Sequence, residues 1–471
     1  MVNDNKEKIS LVRQMGVFDS TMMMVGIVIG SGIFLTTGIM AQSLPSAGLI
    51  LLTWFFGGLI VLAGALTYAE MGAAMPEAGG QYVYLKQAYG PLYGFLFGWN
   101  MFLVSMSGSI AALAAAFAEY FGFFFPSLSN QKIIFSTTLN IFNHSHVYSL
   151  SMGQIIAVTV IIILSCVNYI GAAPGKIIQN ILTMVKIGII TTFIILGFTI
   201  GTKTRINFDF DALFHSGGLN PVQLIVGCGI ALIAVFWAFD GWHNINYIAG
   251  EIKKPQRNLP YSLVIGTLII TVLYVSVNVV YLLALPVEEM KGVVRIAEKA
   301  ANSLFGKAVT GVLSAAVLIS ILGALHGAVF VGPRVYYAMA KDKLFFQRAA
   351  RIHPRFRTPG FAILCQAVWS CFLCLTGTFE QLFTFAMFIN ILFWTAAVAS
   401  VFKLRKKYPE LPRPYKTWGY PVTPLVFIIV LLIILVNTLI KKPVESLAGL
   451  GLAVIGIPIY YTWRKSKMNT G

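Results

Sequence analysis

The sequence predicts an all-α membrane protein of about twelve transmembrane helices. Three observations predict it. First, of 471 residues 57% are hydrophobic and only 11% are charged, against about 25% charged in a soluble protein. Most of the chain therefore has no water to face. Second, apolar stretches recur along its whole length. Third, lysine and arginine gather in alternate connections between those stretches.

The apolar stretches run at about 17–41, 47–72, 89–122, 151–170, 173–200, 222–248, 260–286, 306–340, 361–376, 379–402, 421–440 and 446–463. A membrane span needs about 20 apolar residues, and backbone groups in hydrocarbon must satisfy their own hydrogen bonds, so each stretch is a helix. A β-barrel would need ten-residue alternating strands, a pattern these stretches lack. The two longest, near 89–122 and 306–340, imply tilted helices or helices that run past the bilayer. The charged segment before residue 16 leads into no stretch with a small-residue cleavage site, so the first apolar stretch is expected to stay in the membrane.

With the N-terminus placed in the cytoplasm, about two-thirds of the 34 Lys and Arg fall on the cytoplasmic side. The runs Lys403 to Lys407 and Arg348 to Arg357 are the densest. This bias predicts both termini inside and an even number of spans. It also accounts for the net charge of +17: basic loops face anionic lipid headgroups, and no nucleic-acid partner is implied. The five cysteines lie in apolar stretches and read as small buried residues rather than a disulfide framework or a metal site. The segment 123–150 reads as a polar non-cytoplasmic loop, whose Asn143-His144-Ser145 is more readily a chance triplet than a glycosylation site.

Three places interrupt the apolar pattern. The first stretch contains Gly30-Ser31-Gly32 mid-span, where glycine costs roughly 1 kcal/mol relative to alanine. Gly26 and Gly30 fit a close-packing face. Equally, Gly30-Ser31-Gly32 fits an unwound break whose freed N–H groups open a second half-helix and attract an anion. The sixth stretch carries Asp240 followed by Gly241. An aspartate at mid-span costs about 2.5–3.5 kcal/mol to insert, so it marks a functional position or a structural hydrogen bond. His243, three residues on, can pair with it if the helix continues. The fifth stretch carries Lys186, too deep to reach the surface, as a fixed internal cation, a titrating proton carrier or a structural tie. Breaks in spans one and six at similar depth fit two five-helix inverted repeats around a midplane site. The six histidines are scattered, so no metal site and no catalytic constellation is expected.

Gly30-Ser31-Gly32-Ile33-Phe34 resembles the first-helix motif of the amino acid–polyamine–organocation superfamily. The run from Asp240-Gly241-Trp242 through Gly250-Glu251-Ile252-Lys253-Lys254-Pro255 to Leu259-Pro260 resembles its L-type amino-acid transporter branch. Gly332-Pro333-Arg334 and His353 to Pro359 do so as well.

The resemblance implies a LeuT-like five-plus-five inverted-repeat core with discontinuous helices 1 and 6 and two additional C-terminal helices. The implied division is a cytoplasmic N-terminus (1–16), a core (17–402, with repeats at about 17–200 and 222–402) and a terminal pair (403–471) with a cytoplasmic C-terminus. The implied activity is sodium-independent exchange of neutral L-amino acids by alternating access, with room for cationic ones, in the cell membrane. A proton-coupled symporter is the alternative. By position, a substrate carboxylate would sit on N–H groups around Gly30, Ser31 and Gly32, and its ammonium on carbonyls near Val28, Trp237 and Asp240. Trp237 matches an aromatic lid, Asn390 a pocket-lining residue of span ten, and Lys186 a lysine standing where sodium-coupled relatives hold a cation. Asp240 resembles members that also accept lysine or arginine. Segment 123–150 holds no cysteine, which argues against a disulfide-linked heavy chain and for a prokaryotic member.

Overall fold

A computed structural model describes residues 11–141, 144–199, 213–306, 309–376, 379–441 and 443–468. Asn143 lies outside them. Among the described residues ten helices are long and apolar enough to cross a membrane, and a bent pair forms an eleventh span. A shorter apolar helix of 17 residues, Gly360–Thr376, corresponds to the stretch expected at 361–376.

The bent pair is α1 (Val17–Val28) and α2 (Gly32–Ser43), which meet at 43°. Two glycines divide the roles that the sequence left open. A Cβ on Gly26 would stand 2.0 Å from the Thr183 hydroxyl, so this glycine serves close packing on the fifth span. The break lies further on, at Ile29 to Ser31. Ile29 leaves the helix with φ −72° and ψ 85°, and Gly32 opens α2 with the Ala238 backbone 2.7 Å from where its Cβ would be.

From there α3 (Ala47–Ala74) crosses back and α4 (Gln81–Tyr89) lies between spans. The third span is α5 (Pro91–Asn100), a π-helical turn (Met101–Ser105) and α6 (Met106–Phe124). At about 1.5 Å per residue its 34 residues exceed the roughly 30 Å of hydrocarbon, as the long apolar stretch implied. Spans four and five are α7 (Met152–Ile170) and α8 (Ala172–Thr199).

The sixth span is also broken. Helix α9 (Pro221–Ala238) ends, residues 239–243 turn, and the chain resumes as a 3-10 segment, Asn244–Glu251. Gly241 sits at φ +97°, a left-handed conformation in which a side chain would strain the turn. Because the helix stops at Ala238, His243 does not pair with Asp240 as a continuous helix would have allowed. Its Nε2 instead accepts a hydrogen bond from the Trp394 indole at 3.1 Å.

The remaining long helices are α10 (Pro255–Ala284), α12 (Thr310–Lys341), the shorter α13 (Gly360–Thr376), α14 (Phe379–Lys407), α15 (Val422–Lys441) and α16 (Pro443–Met468), with α11 (Ile296–Phe305) between the first two.

Two expectations need correction. The segment read as a polar loop contains an antiparallel hairpin, β1 (Ile133–Ile141) with β2 (His144–Ser151), so the all-α description holds for the spans but not for this excursion. Its β-branched run Ile133, Ile134, Thr137 and Thr138 suits a pleated surface. Secondly, the cysteines are not all buried: Cys166 is exposed on the outside of α7. Apolar residues on an outward helix face are expected where the surroundings are lipid.

Candidate functional site

The two breaks face each other and open onto one recess with a cavity of about 70 Å³. Val28, Gly30, Ser31, Gly32, Trp237, Asp240 and Asn390 all line it. Sequence spacing could not bring these together, since they come from spans one, six and ten.

The recess is polarised by helix ends. At the start of α2 the N–H groups of Ser31, Gly32 and Ile33 have no backbone acceptor, and the Ser31 hydroxyl is likewise without a partner among the described residues. An N-terminus with unsatisfied donors favours an anion. One donor expected there is missing: the Gly30 N–H is already bonded to the Val28 carbonyl at 2.8 Å. The other polarity comes from α1 and α9, whose C-terminal carbonyls end at Val28 and Ala238. The recess thus sets anion-favouring and cation-favouring groups side by side, the charge pattern of a zwitterion.

Those carbonyls have a resident donor that the sequence did not suggest. The Tyr274 hydroxyl of α10 lies 3.0 Å from the Val28 carbonyl and 2.9 Å from that of Ala238, and its single proton is shared between them. Its ring is fully buried against Trp54 and Phe239. No sequence signal marks Tyr274, because its importance lies in reaching two breaks at once. Only the apolar stretch itself, in which a phenol needs a partner, hinted at a role. The Trp237 carbonyl, expected to be open, accepts the Asp240 N–H at 3.0 Å.

Asp240 is held on both sides. Its Oδ1 accepts the Gly241 N–H at 2.8 Å, and its Oδ2 lies 3.4 Å from the Asn390 side-chain nitrogen. It is the single acidic residue among those lining the recess.

Lys186 is not in the recess. It approaches α1 from behind, where its Nζ donates to the carbonyls of Gly26 at 2.6 Å and Ile29 at 2.8 Å. The Ser320 hydroxyl of α12 adds a bond to Ile29 at 3.1 Å. Gly323 makes the approach possible, since a Cβ there would stand 2.6 Å from the lysine Cε. No carboxylate pairs with Lys186 among the described residues. The break in α1 is therefore braced on one side by an amine and on the other by a phenol. No cluster of His, Cys, Asp or Glu suited to a metal occurs among the described residues.

Residues 15–461 match the amino acid permease family. The chain belongs to that family. Its fold is accordingly LeuT-like, a five-plus-five inverted repeat, and its class is that of a multi-pass membrane transporter rather than an enzyme.

Among curated relatives, this permease is 30% identical to the serine/threonine exchanger SteT of Bacillus subtilis (strain 168), over 97% of this chain and 98% of that one. It is 28% identical to the large neutral amino acids transporter small subunit 2 of Homo sapiens, over 96% of this chain and 81% of the relative. It is 27% identical to the human b(0,+)-type amino acid transporter 1, over 92% and 84% respectively. The resemblance seen in the motifs thus extends over nearly the full chain.

Proposed function

We propose that this permease is a sodium-independent exchanger of L-amino acids in the cell membrane, with both termini cytoplasmic, working by alternating access. One observation carries the reading: at the α1 break, Ser31 and Gly32, whose N–H groups have no acceptor among the described residues, line the same recess as Val28, at the carbonyl end of α1. A free amino acid has a carboxylate and an ammonium a few ångströms apart, and needs this pair of environments. The carboxylate is assigned to Ser31, Gly32 and Ile33. The ammonium is assigned to the Val28 and Ala238 carbonyls, where it competes with the Tyr274 hydroxyl. Trp237 serves as the lid, and Asp240 with Asn390 faces the substrate side chain.

Lys186 supports the absence of sodium. Its amine occupies the two α1 carbonyls that would otherwise be free to coordinate a cation. Residues 17–402 form the transport core in this reading and 403–471 an appended helix pair. Segment 123–150 has no cysteine, so no disulfide-linked heavy chain is included. Ser105, Ser109 and Asn390 stand among a largely apolar lining and offer partners to a hydroxyl-bearing side chain, which supports substrates like those named for the serine/threonine exchanger SteT.

The test is uptake of radiolabelled serine into proteoliposomes, empty or preloaded with unlabelled serine, without sodium or a pH gradient. Uptake confined to preloaded vesicles is expected. Accumulation in empty vesicles on imposing a pH gradient would replace exchange by proton symport, with Lys186 as the carrier.

A further inference from the structure

The third span departs from α-helical geometry at one place. Between α5 and α6 lies the π turn Met101–Ser105, in which the Met106 N–H bonds back five residues to the Met101 carbonyl. A π turn places one extra residue in the helix, and π-bulges gather at functional sites. At 3.6 residues per turn, one residue turns everything beyond it by about 100°. The face that α6 presents is therefore decided at this turn. That face is one wall of the recess: Met101, Ser105, Met106, Ser109, Ala112 and Leu113 all line it.

The turn is gripped from the side away from the recess. The Tyr336 hydroxyl of α12 donates to the Met101 carbonyl at 3.3 Å. The Trp369 indole N–H of α13 donates to the Leu103 carbonyl at 2.8 Å. Between these two bonds the Phe102 ring enters an aromatic cage made partly by the same two residues. It meets Tyr336 edge-on at 5.2 Å and stacks with Trp369 at 6.3 Å and 22°. Phe345 closes the cage at 5.3 Å. Neither Tyr336 nor Trp369 lines the recess. The Met101 carbonyl thus carries the Tyr336 hydroxyl in addition to the Met106 N–H of the π turn, and in a membrane span, where no water competes for these carbonyls, such added donors stabilise the irregular turn.

We propose that Tyr336 and Trp369 are positioning residues that set the side-chain subsite of the substrate by holding this π turn. The subsite they shape takes small, hydroxyl-bearing side chains against Ser105 and Ser109. Without the clamp the span relaxes toward regular helix, and the serines swing off the recess. This rests on the amino-acid transport proposed above.

The experiment uses Trp369→Phe and Tyr336→Phe, each of which removes one donor and keeps a ring in the cage. Serine exchange in preloaded proteoliposomes is competed with threonine, alanine, leucine and phenylalanine. The expected result is a change of about five-fold in the preference for serine over leucine, the effect of one lost hydrogen bond. Maximal serine exchange should stay within about two-fold of wild type. A uniform loss across the panel, or no change of preference, overturns the proposal. Should Trp369→Phe not yield monodisperse protein, Tyr336→Phe decides by the same criterion. Should wild type move none of the panel, the transport reading fails and the clamp is judged separately. Hydrogen exchange of the peptide covering 101–106 must then rise in both variants while other spans keep their protection, and unchanged exchange overturns the clamp.

Discussion

Arg334 and Glu251 form a two-point ion pair at 2.7 and 3.3 Å with both side chains sealed from solvent. They lie 83 residues apart and belong to two different sequence motifs. The Arg334 guanidinium also donates to the Phe330 carbonyl and sits 4.0 Å over that ring. Glu251 ends the 3-10 segment of the broken sixth span, and its carbonyl accepts the N–H groups of Gln14 and Met15. The pair therefore fastens α12 to the 3-10 half of span six and to the N-terminal segment together.

Removing one partner strands the other. Arg334→Met leaves the Glu251 carboxylate buried without a counter-charge, and a loss of about 3–5 kcal/mol is expected. Replacing both, as Glu251→Gln with Arg334→Met, should recover a large part of that loss. Melting of the detergent-purified variants by size exclusion checks both; a wild-type melting point for the single variant would show that the pair holds nothing.

Lys186→Ala takes away the donor to the Gly26 and Ile29 carbonyls beside the α1 break. Ile29 keeps the Ser320 hydroxyl, but the Gly26 carbonyl loses this donor, a buried acceptor whose stranding costs about 1–3 kcal/mol, and serine exchange is expected below about a tenth of wild type, a difference of about 1.4 kcal/mol or more. The amount of inserted protein should be unchanged. Normal exchange in this variant would remove the lysine from the mechanism.

The Tyr274 hydroxyl bridges two half-helix ends, so Tyr274→Phe tests whether the bridge matters while the packing of the ring is kept. If the substrate ammonium competes with this hydroxyl, its removal should tighten apparent serine affinity by up to about five-fold and slow turnover, because the empty breaks lose their tie. Equal affinity and turnover to wild type would make the bridge incidental.

Asp240→Asn preserves an oxygen for the Gly241 N–H but removes the charge. Arginine should lose most of its ability to compete for serine exchange, since desolvation of its guanidinium is no longer offset by an acid in the recess. Serine itself should be little affected. Equal loss for both would assign Asp240 to the turn alone.

The spans were legible because a single physical demand shapes them. Backbone groups in lipid must bond within the helix and side chains there must be apolar, so composition reports each span directly. The hairpin at 133–151 was missed for the converse reason. Outside the membrane the polar and β-branched residues of that segment carry no comparable constraint, and only pairing of one strand with the other defined it. The breaks were half-legible: glycine and aspartate stood out at mid-span, but whether Gly26 packed or unwound depended on Thr183, far along the chain. His243 looked like a partner for Asp240 only while the helix was assumed to run on.

The sequence by itself determined the order of the apolar stretches that became helices, and the identity of Lys186 and Asp240 as charges that need a reason to be buried. Those are local facts, set by transfer energies of individual residues. The tertiary structure alone decided that Lys186 meets Gly26 and Ile29 from behind α1, that Tyr274 joins two breaks, and that Tyr336 and Trp369 grip a π turn. Each of these is a bond between a side chain and a distant main-chain carbonyl, and every residue carries the same carbonyl, so no residue type in the sequence can announce the acceptor.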